Sequence, residues 1–148
     1  AAKGGARSTL SVDRSSTAIR WARQNMELNE IPPEANQLVQ MSTFDFLAKA
    51  RKGGYRYDLA VVDPPSYSTT RLDGEQFDIR RDHPRLLEAV IAVMRPSATV
   101  FFSTNHQKFE PRMTSLTIRK MEEITDRTIP EDYVRKRTAI HRCWRIDV

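Results

Sequence analysis

Cys143 is the only cysteine among 148 residues, so the chain can form no internal disulfide and no multi-cysteine zinc site. No metal is expected, and a reducing compartment suits this usage. No apolar run approaches the roughly 20 residues that a membrane helix requires, and the opening Ala1-Ala2-Lys3-Gly4-Gly5 lacks a signal-peptide core. The expected location is therefore the cytoplasm, with no membrane partner. Glycine numbers only 5. The pair Gly4-Gly5 precedes a strand pattern rather than a helix, so it reads as a helix C-cap and not as a glycine loop that cradles a phosphate.

What is present describes one polar, soluble domain spanning residues 1–148, with 39% hydrophobic and 29% charged residues. Lys and Arg total 24 against 19 Asp and Glu, a net charge of +5. That balance favours a polyanionic partner, because phosphate neutralisation supplies most non-specific nucleic-acid affinity.

Strand and helix patterns alternate along the chain. Arg7 to Asp13 reads as a strand, and Ser15 or Ser16 caps a helix whose apolar stripe is Ala18, Trp21, Ala22 and Met26. Pro32-Pro33 breaks that helix. Gln37 to Met41 reads as a second strand, and Phe44, Phe46, Leu47 and Ala50 mark a helix ending at Gly53-Gly54. Tyr57 to Asp63 is a third strand, followed by a polar loop and a helix through Leu86, Leu87, Val90, Ile91 and Met94, closed by Arg95-Pro96. Thr99 to Ser103 is a fourth strand. Met113 to Lys120 is expected as a helix, Glu122 to Thr128 as a weak strand and Cys143 to Val148 as a closing strand, the last two forming an antiparallel edge. The alternation predicts an α/β fold with a mostly parallel sheet covered on both faces.

One segment reads as chemistry. Asp63-Pro64-Pro65-Ser66-Tyr67 follows the apolar run Leu59-Ala60-Val61-Val62, and prolines stop a ladder and hold a turn stiff. An acid and an aromatic ring are thus presented at a strand's carboxyl end, where open α/β sheets bind ligands. The segment resembles the catalytic loop of Rossmann-like, class I methyltransferases that use S-adenosylmethionine. Further matches are Ser11-Val12-Asp13-Arg14-Ser15, the stretch Trp21 to Asn29, Phe77-Asp78-Ile79-Arg80-Arg81-Asp82-His83, Phe102-Ser103-Thr104-Asn105 and His141-Arg142-Cys143-Trp144. In this order they resemble bacterial 23S ribosomal RNA methyltransferases, the branch acting on guanine N7. The resemblance implies that this is the carboxyl-terminal portion of a catalytic domain, beginning after the first strand and its glycine-rich loop. Such a fragment is expected to be inactive alone.

The resemblance also assigns candidate residues. Asp13, with Arg14, would hold the cofactor ribose, a carboxylate accepting from both hydroxyls; a capping aspartate is the alternative. Ser42 and Thr43 stand where the family has an acid that accepts from the adenine amino group, so either they or Asp45 would replace it, or they cap a helix. Asp63, with Pro64 and Pro65, would shape the reacting centre and also touch the cofactor; a structural turn is the alternative. Tyr67 would stack on the target base or pack at a loop edge.

For the RNA, the candidates are Ser66, Arg80, Arg81, His83 and Asn105. Arg80 and Arg81 either hold phosphate or pair with Asp78 and Asp82. His83 is expected to brace the loop rather than react, and Asn105 either reads a guanine edge or satisfies backbone groups. Arg135, Lys136, Arg137, Arg142 and Arg145 could track RNA backbone or form a solvated face. Two other functions share the scaffold. Cys143 would be the nucleophile if the target were cytosine C5, although a buried cysteine beside Trp144 reads more simply as packing. A non-catalytic RNA-binding domain is the third possibility, alongside an exocyclic-amine methyltransferase.

Overall fold

The computed structural model describes residues 1–72, 75–106, 109–113, 116–134 and 140–148. The basic run at Arg135, Lys136 and Arg137 lies outside them. The chain divides into two compact units, Ala1–Ala50 and Arg51–Val148.

In the first unit a 3-10 turn over Ala2–Gly4 ends at Gly5, whose φ of 85° is the left-handed geometry expected of a C-cap. Strand β1 (Thr9–Asp13) pairs in parallel with β2 (Asn36–Gln40), Asp13 opposite Gln40. Between them runs α1 (Ser16–Leu28), capped by Ser15, whose hydroxyl accepts from the Ala18 N–H. Helix α2 (Thr43–Lys52) follows β2. Asn36 is buried yet satisfied: its carbonyl oxygen accepts from the Thr9 hydroxyl at 2.7 Å and its amide donates to the Pro32 carbonyl at 2.8 Å. One expectation fails here. Ile19, not Trp21, anchors the buried side of α1, and Trp21 is 63% exposed, because it lies roughly half a turn around the helix from Ile19.

The second unit holds a four-stranded sheet in the order β3 (Tyr57–Val62), β6 (Met94–Thr104), β8 (Arg142–Asp147), β7 (Lys120–Glu123). Strands β3 and β6 are parallel, whereas β8 runs antiparallel to both β6 and β7, giving the antiparallel edge. Where a polar loop was expected, β4 (Tyr67–Leu72) and β5 (Glu75–Asp78) form an antiparallel hairpin. It leads into α3 (Ile79–Ile91), while short helices α4 (Thr125–Thr128) and α5 (Glu131–Val134) follow β7.

Alternation along β6 builds the core. Ala98, Val100, Phe102 and Thr104 are buried, and Val100 and Phe102 pair with the equally buried Ile146 and Trp144 of β8. Ile79, Leu86, Leu87 and Val90 supply the buried apolar residues of α3. Phe102, Phe109, Trp144 and the His83 ring form one cluster, with centroids 4.7 to 6.4 Å apart.

Three boundaries depart from the sequence reading. Helix α3 ends at Ile91, and Met94 and Pro96 belong to β6. Pro96 is tolerated because the β3–β6 register shifts there, between Tyr57 opposite Met94 and Leu59 opposite Thr99, with Ser97 at φ 70°. No helix occupies Leu116–Arg119, and the expected strand from Glu122 ends at Glu123, giving way to α4. Among the described residues no helix is long and apolar enough to cross a membrane, and no group of three or more His, Cys, Asp or Glu could hold a metal.

Candidate active site

Strand β3 delivers Asp63 one residue past the pair Val62 and Phe102. Pro64 and Pro65 have no N–H, so the ladder stops there. Two side-chain bonds tie the loop to the end of β6. The Ser103 hydroxyl donates to Oδ1 of Asp63 at 2.8 Å, and the Ser66 hydroxyl donates to Oδ1 of Asn105 at 2.6 Å. Ser103 and Asn105 are two residues apart at the end of an extended strand, which directs both toward the same side. On the loop's other flank the Ser66 carbonyl accepts from the Ile79 N–H at the start of α3. The stiff turn predicted from two prolines is thus also cross-linked.

Cys143 lies opposite Ser103 on β8 and is buried. Burial pushes its thiol up from the usual range, and the nearby Asp63 carboxylate adds to the shift. Both effects disfavour the thiolate that nucleophilic attack would need.

Tyr67 opens the hairpin opposite Asp78 and is 56% exposed. The Arg80 guanidinium sits 5.7 Å from its ring centroid. Arg80 also reaches Asp78 through two bonds of 3.0 and 3.3 Å, and Asp78 caps α3 by accepting from the Arg80 N–H. Hydrogen bonding from Arg80 holds the Asp78 carboxyl below its usual range. Arg81 pairs with Asp82 at 2.8 and 3.0 Å, while Asp82 accepts from the Asp78 N–H. Burial acts to raise the Asp82 carboxyl, but these bonds outweigh it and the net shift is downward. Of the two roles considered for Arg80 and Arg81, the structure shows the pairing.

His83 requires a correction. As an RNA contact it fails, because it is 0% exposed and both ring nitrogens are engaged. Nδ1 lies 2.7 Å from the Ile79 carbonyl oxygen and Nε2 accepts from the Arg112 N–H at 2.9 Å, so the ring is the neutral Nδ1–H tautomer. Burial lowers its pKa accordingly. Arg112 was not anticipated at all. Pro84 has no N–H to offer the Arg80 carbonyl four residues earlier, and Arg112 Nη2 fills that vacancy at 2.7 Å while also reaching the Arg81 carbonyl at 3.1 Å. The sequence signal was the proline itself: a proline inside a helix leaves one carbonyl in need of a donor.

In the first unit, Asp13 and Ser42 stand at the carboxyl ends of neighbouring parallel strands. Asp13 is exposed, with Oδ1 accepting from the Ser15 N–H at 2.7 Å, so the capping role is occupied by one of its oxygens. Arg14 is exposed, and its carbonyl accepts from the Gln40 amide at 3.4 Å. Thr43 is the exposed first residue of α2. The Ser42 hydroxyl is buried and has no hydrogen-bond partner among the described residues, so it does not cap α2. A buried orphan hydroxyl beside an exposed strand-end carboxylate fits an adenosine-bearing group, which would supply partners for both. A cleft of about 270 Å³ in this unit, lined by residues including Lys3, Arg7, Asn29 and Asn36, is not lined by Asp13, Arg14, Ser42 or Thr43.

With this geometry in view, the fold is that of the S-adenosylmethionine-dependent methyltransferases. The chain superposes on SMU.776, assigned as a methyltransferase and complexed with SAH, at a TM-score of 0.80, with 22% identity over 98% of this chain and 40% of that one. It also matches the SAM-dependent methyltransferase from Agrobacterium tumefaciens at a TM-score of 0.64, with 24% identity over 72% of this chain and 34% of that one. More particularly, the chain is similar in sequence to part of the ribosomal RNA large subunit methyltransferases K and K/L. It is 36% identical to the K protein of Neisseria meningitidis over 99% of its own length, and 40% identical to the K/L protein of Pseudomonas putida over 100%. It spans 41% of the first relative and 20% of the second. No family model matches it.

Proposed function

We propose that the protein transfers the methyl group of S-adenosylmethionine to N7 of a guanine in large-subunit ribosomal RNA, with residues 1–148 forming part of the catalytic domain. The observation that carries this reading is the proline loop, with Asp63 and Ser66 each bonded to the end of β6. The whole-length similarity to proteins named for the large-subunit reaction supports the substrate class. The cofactor supplies an electrophilic methyl on a sulfonium.

Asp13 would accept from the ribose hydroxyls with the help of Arg14 at the same strand end, and Ser42, beside Thr43, would meet the adenine. Guanine N7 carries a lone pair and loses no proton when it is methylated. The chain must therefore position the base and exclude water rather than remove a proton. Pro64 and Pro65 hold Asp63 at the reacting centre, where its carboxylate offsets the positive charge that develops on the guanine ring. Tyr67 offers an exposed ring on which a base can stack. Arg80 and Arg81 would reach RNA phosphate by exchanging their carboxylate partners.

The inert setting of Cys143 favours this reaction over methylation of cytosine C5. Radiolabelled methyl transfer to large-subunit RNA, followed by mass mapping of the product nucleoside, tests the proposal with the full-length protein. The expected product is N7-methylguanosine, with a Cys143→Ala variant retaining activity within about threefold. A 5-methylcytosine product that disappears in Cys143→Ala would overturn it.

A further inference from the structure

The bond between Ser66 and Asn105 has a polarity, and that polarity suits one base edge. The Ser66 hydroxyl donates to Oδ1 of Asn105 at 2.6 Å, so the amide's acceptor is already engaged inside the protein. What Asn105 turns outward is its NH2 group, a pair of donors on an exposed side chain, with no partner among the described residues. Two residues earlier on β6, Ser103 bonds to Asp63 at the proposed reacting centre. The donor pair therefore stands at the same strand end as the chemistry.

Guanine presents only acceptors, N7 and O6, along the edge that would be methylated. N7 must keep its lone pair for the methyl carbon, which leaves O6 as the atom for a protein donor. Adenine and cytosine place an exocyclic NH2 at the corresponding position, where it would meet the Asn105 NH2 as donor against donor. We infer that Asn105 is the specificity-determining residue for guanine, donating to O6, and that Ser66 is a positioning residue that locks the amide in this orientation. The inference rests on the guanine-N7 reading and adds to it the atom that is read.

The test compares RNAs carrying guanine, inosine or 2-aminopurine at the target position. Inosine keeps O6 and N7, whereas 2-aminopurine keeps N7 and lacks O6. The full-length enzyme is expected to use guanine and inosine similarly and to disfavour 2-aminopurine by roughly 10- to 100-fold in kcat/KM. Asn105→Asp keeps an acceptor for Ser66 but replaces the outward donors by an oxygen, and is expected to reduce that preference to within about threefold. Ser66→Ala should lower it partway, and Ser66→Thr should retain it. If turnover by Asn105→Asp is too slow to follow, fluorescence anisotropy with the same RNAs supplies the ratio from affinities. Undiminished discrimination in both Asn105→Asp and Ser66→Ala overturns the assignment even where the product is N7-methylguanosine. A methyl group mapped to another base instead overturns the underlying reading.

Discussion

The hydroxyl of Ser103, the next-to-last residue of β6, donates to Oδ1 of Asp63, the residue just after the parallel neighbour β3, at 2.8 Å. One carboxylate oxygen is thereby fixed, and the rotation of the group with it. Removing the hydroxyl leaves the backbone untouched but lets the carboxylate swing. Ser103→Ala is expected to lower kcat by about 10- to 100-fold, with KM for RNA changed much less and melting temperature within a few degrees. Ser103→Thr keeps the donor and suits a strand, so most activity should return. Steady-state kinetics on the three proteins check this, and equal activity in Ser103→Ala would show that Asp63 needs no guide.

Arg112 and Pro84 form a compensated pair. The proline leaves the Arg80 carbonyl without its helical N–H, and the guanidinium supplies the missing donor. Arg112→Met should destabilise the protein by about 1 kcal/mol, the net worth of an exposed, charge-assisted bond. In a Pro84→Ala background the helix donates its own N–H, and the same substitution should cost distinctly less. Denaturant titration of the four proteins in this cycle measures the coupling; additive costs would mean that Arg112 stabilises by some other contact.

His83 makes stability depend on pH. Its folded pKa is lowered from 6.5 because burial disfavours the charged ring, and its Nε2 is committed as an acceptor to the Arg112 N–H. Below about 6.5 the unfolded chain takes up a proton that the folded chain refuses, so the unfolded state gains and stability falls as pH drops. Above that value the contribution is constant. Thermal melts from pH 7.5 to 5.5 should show a steeper decline for the native protein than for His83→Gln, which starts lower but cannot titrate. Parallel curves would place the acid sensitivity elsewhere.

The beat of strands and helices was legible because each element carries its own period, and the proline loop because two prolines after an apolar run have few other meanings. What escaped reading depends on partners distant in sequence. Trp21 looked like a core residue from its type, yet Ile19 occupies the inward position, and apolar character alone does not fix a helix's rotation. Pro96 looked like a stop, but a register shift accommodates it inside β6. The hairpin of β4 and β5 was not legible because those strands lack apolar alternation. The Ser103 bond to Asp63 spans 40 residues and follows only from the pairing of β3 with β6.

Ser42 offers the last prediction. Its hydroxyl is buried with no partner among the described residues, a state that costs folding free energy unless something arrives to satisfy it. If adenine is that partner, Ser42→Ala removes both the cost and the contact. The variant should be as stable as the native protein or more so by up to about 1 kcal/mol, while binding S-adenosylmethionine roughly 3- to 10-fold more weakly. Ser42→Asp should bind it more tightly, since a carboxylate accepts from the adenine amino group more strongly than a hydroxyl does. Calorimetric titration of the full-length protein, paired with thermal melts, separates these effects. Unchanged affinity in both variants would mean that the buried hydroxyl answers to the fold alone.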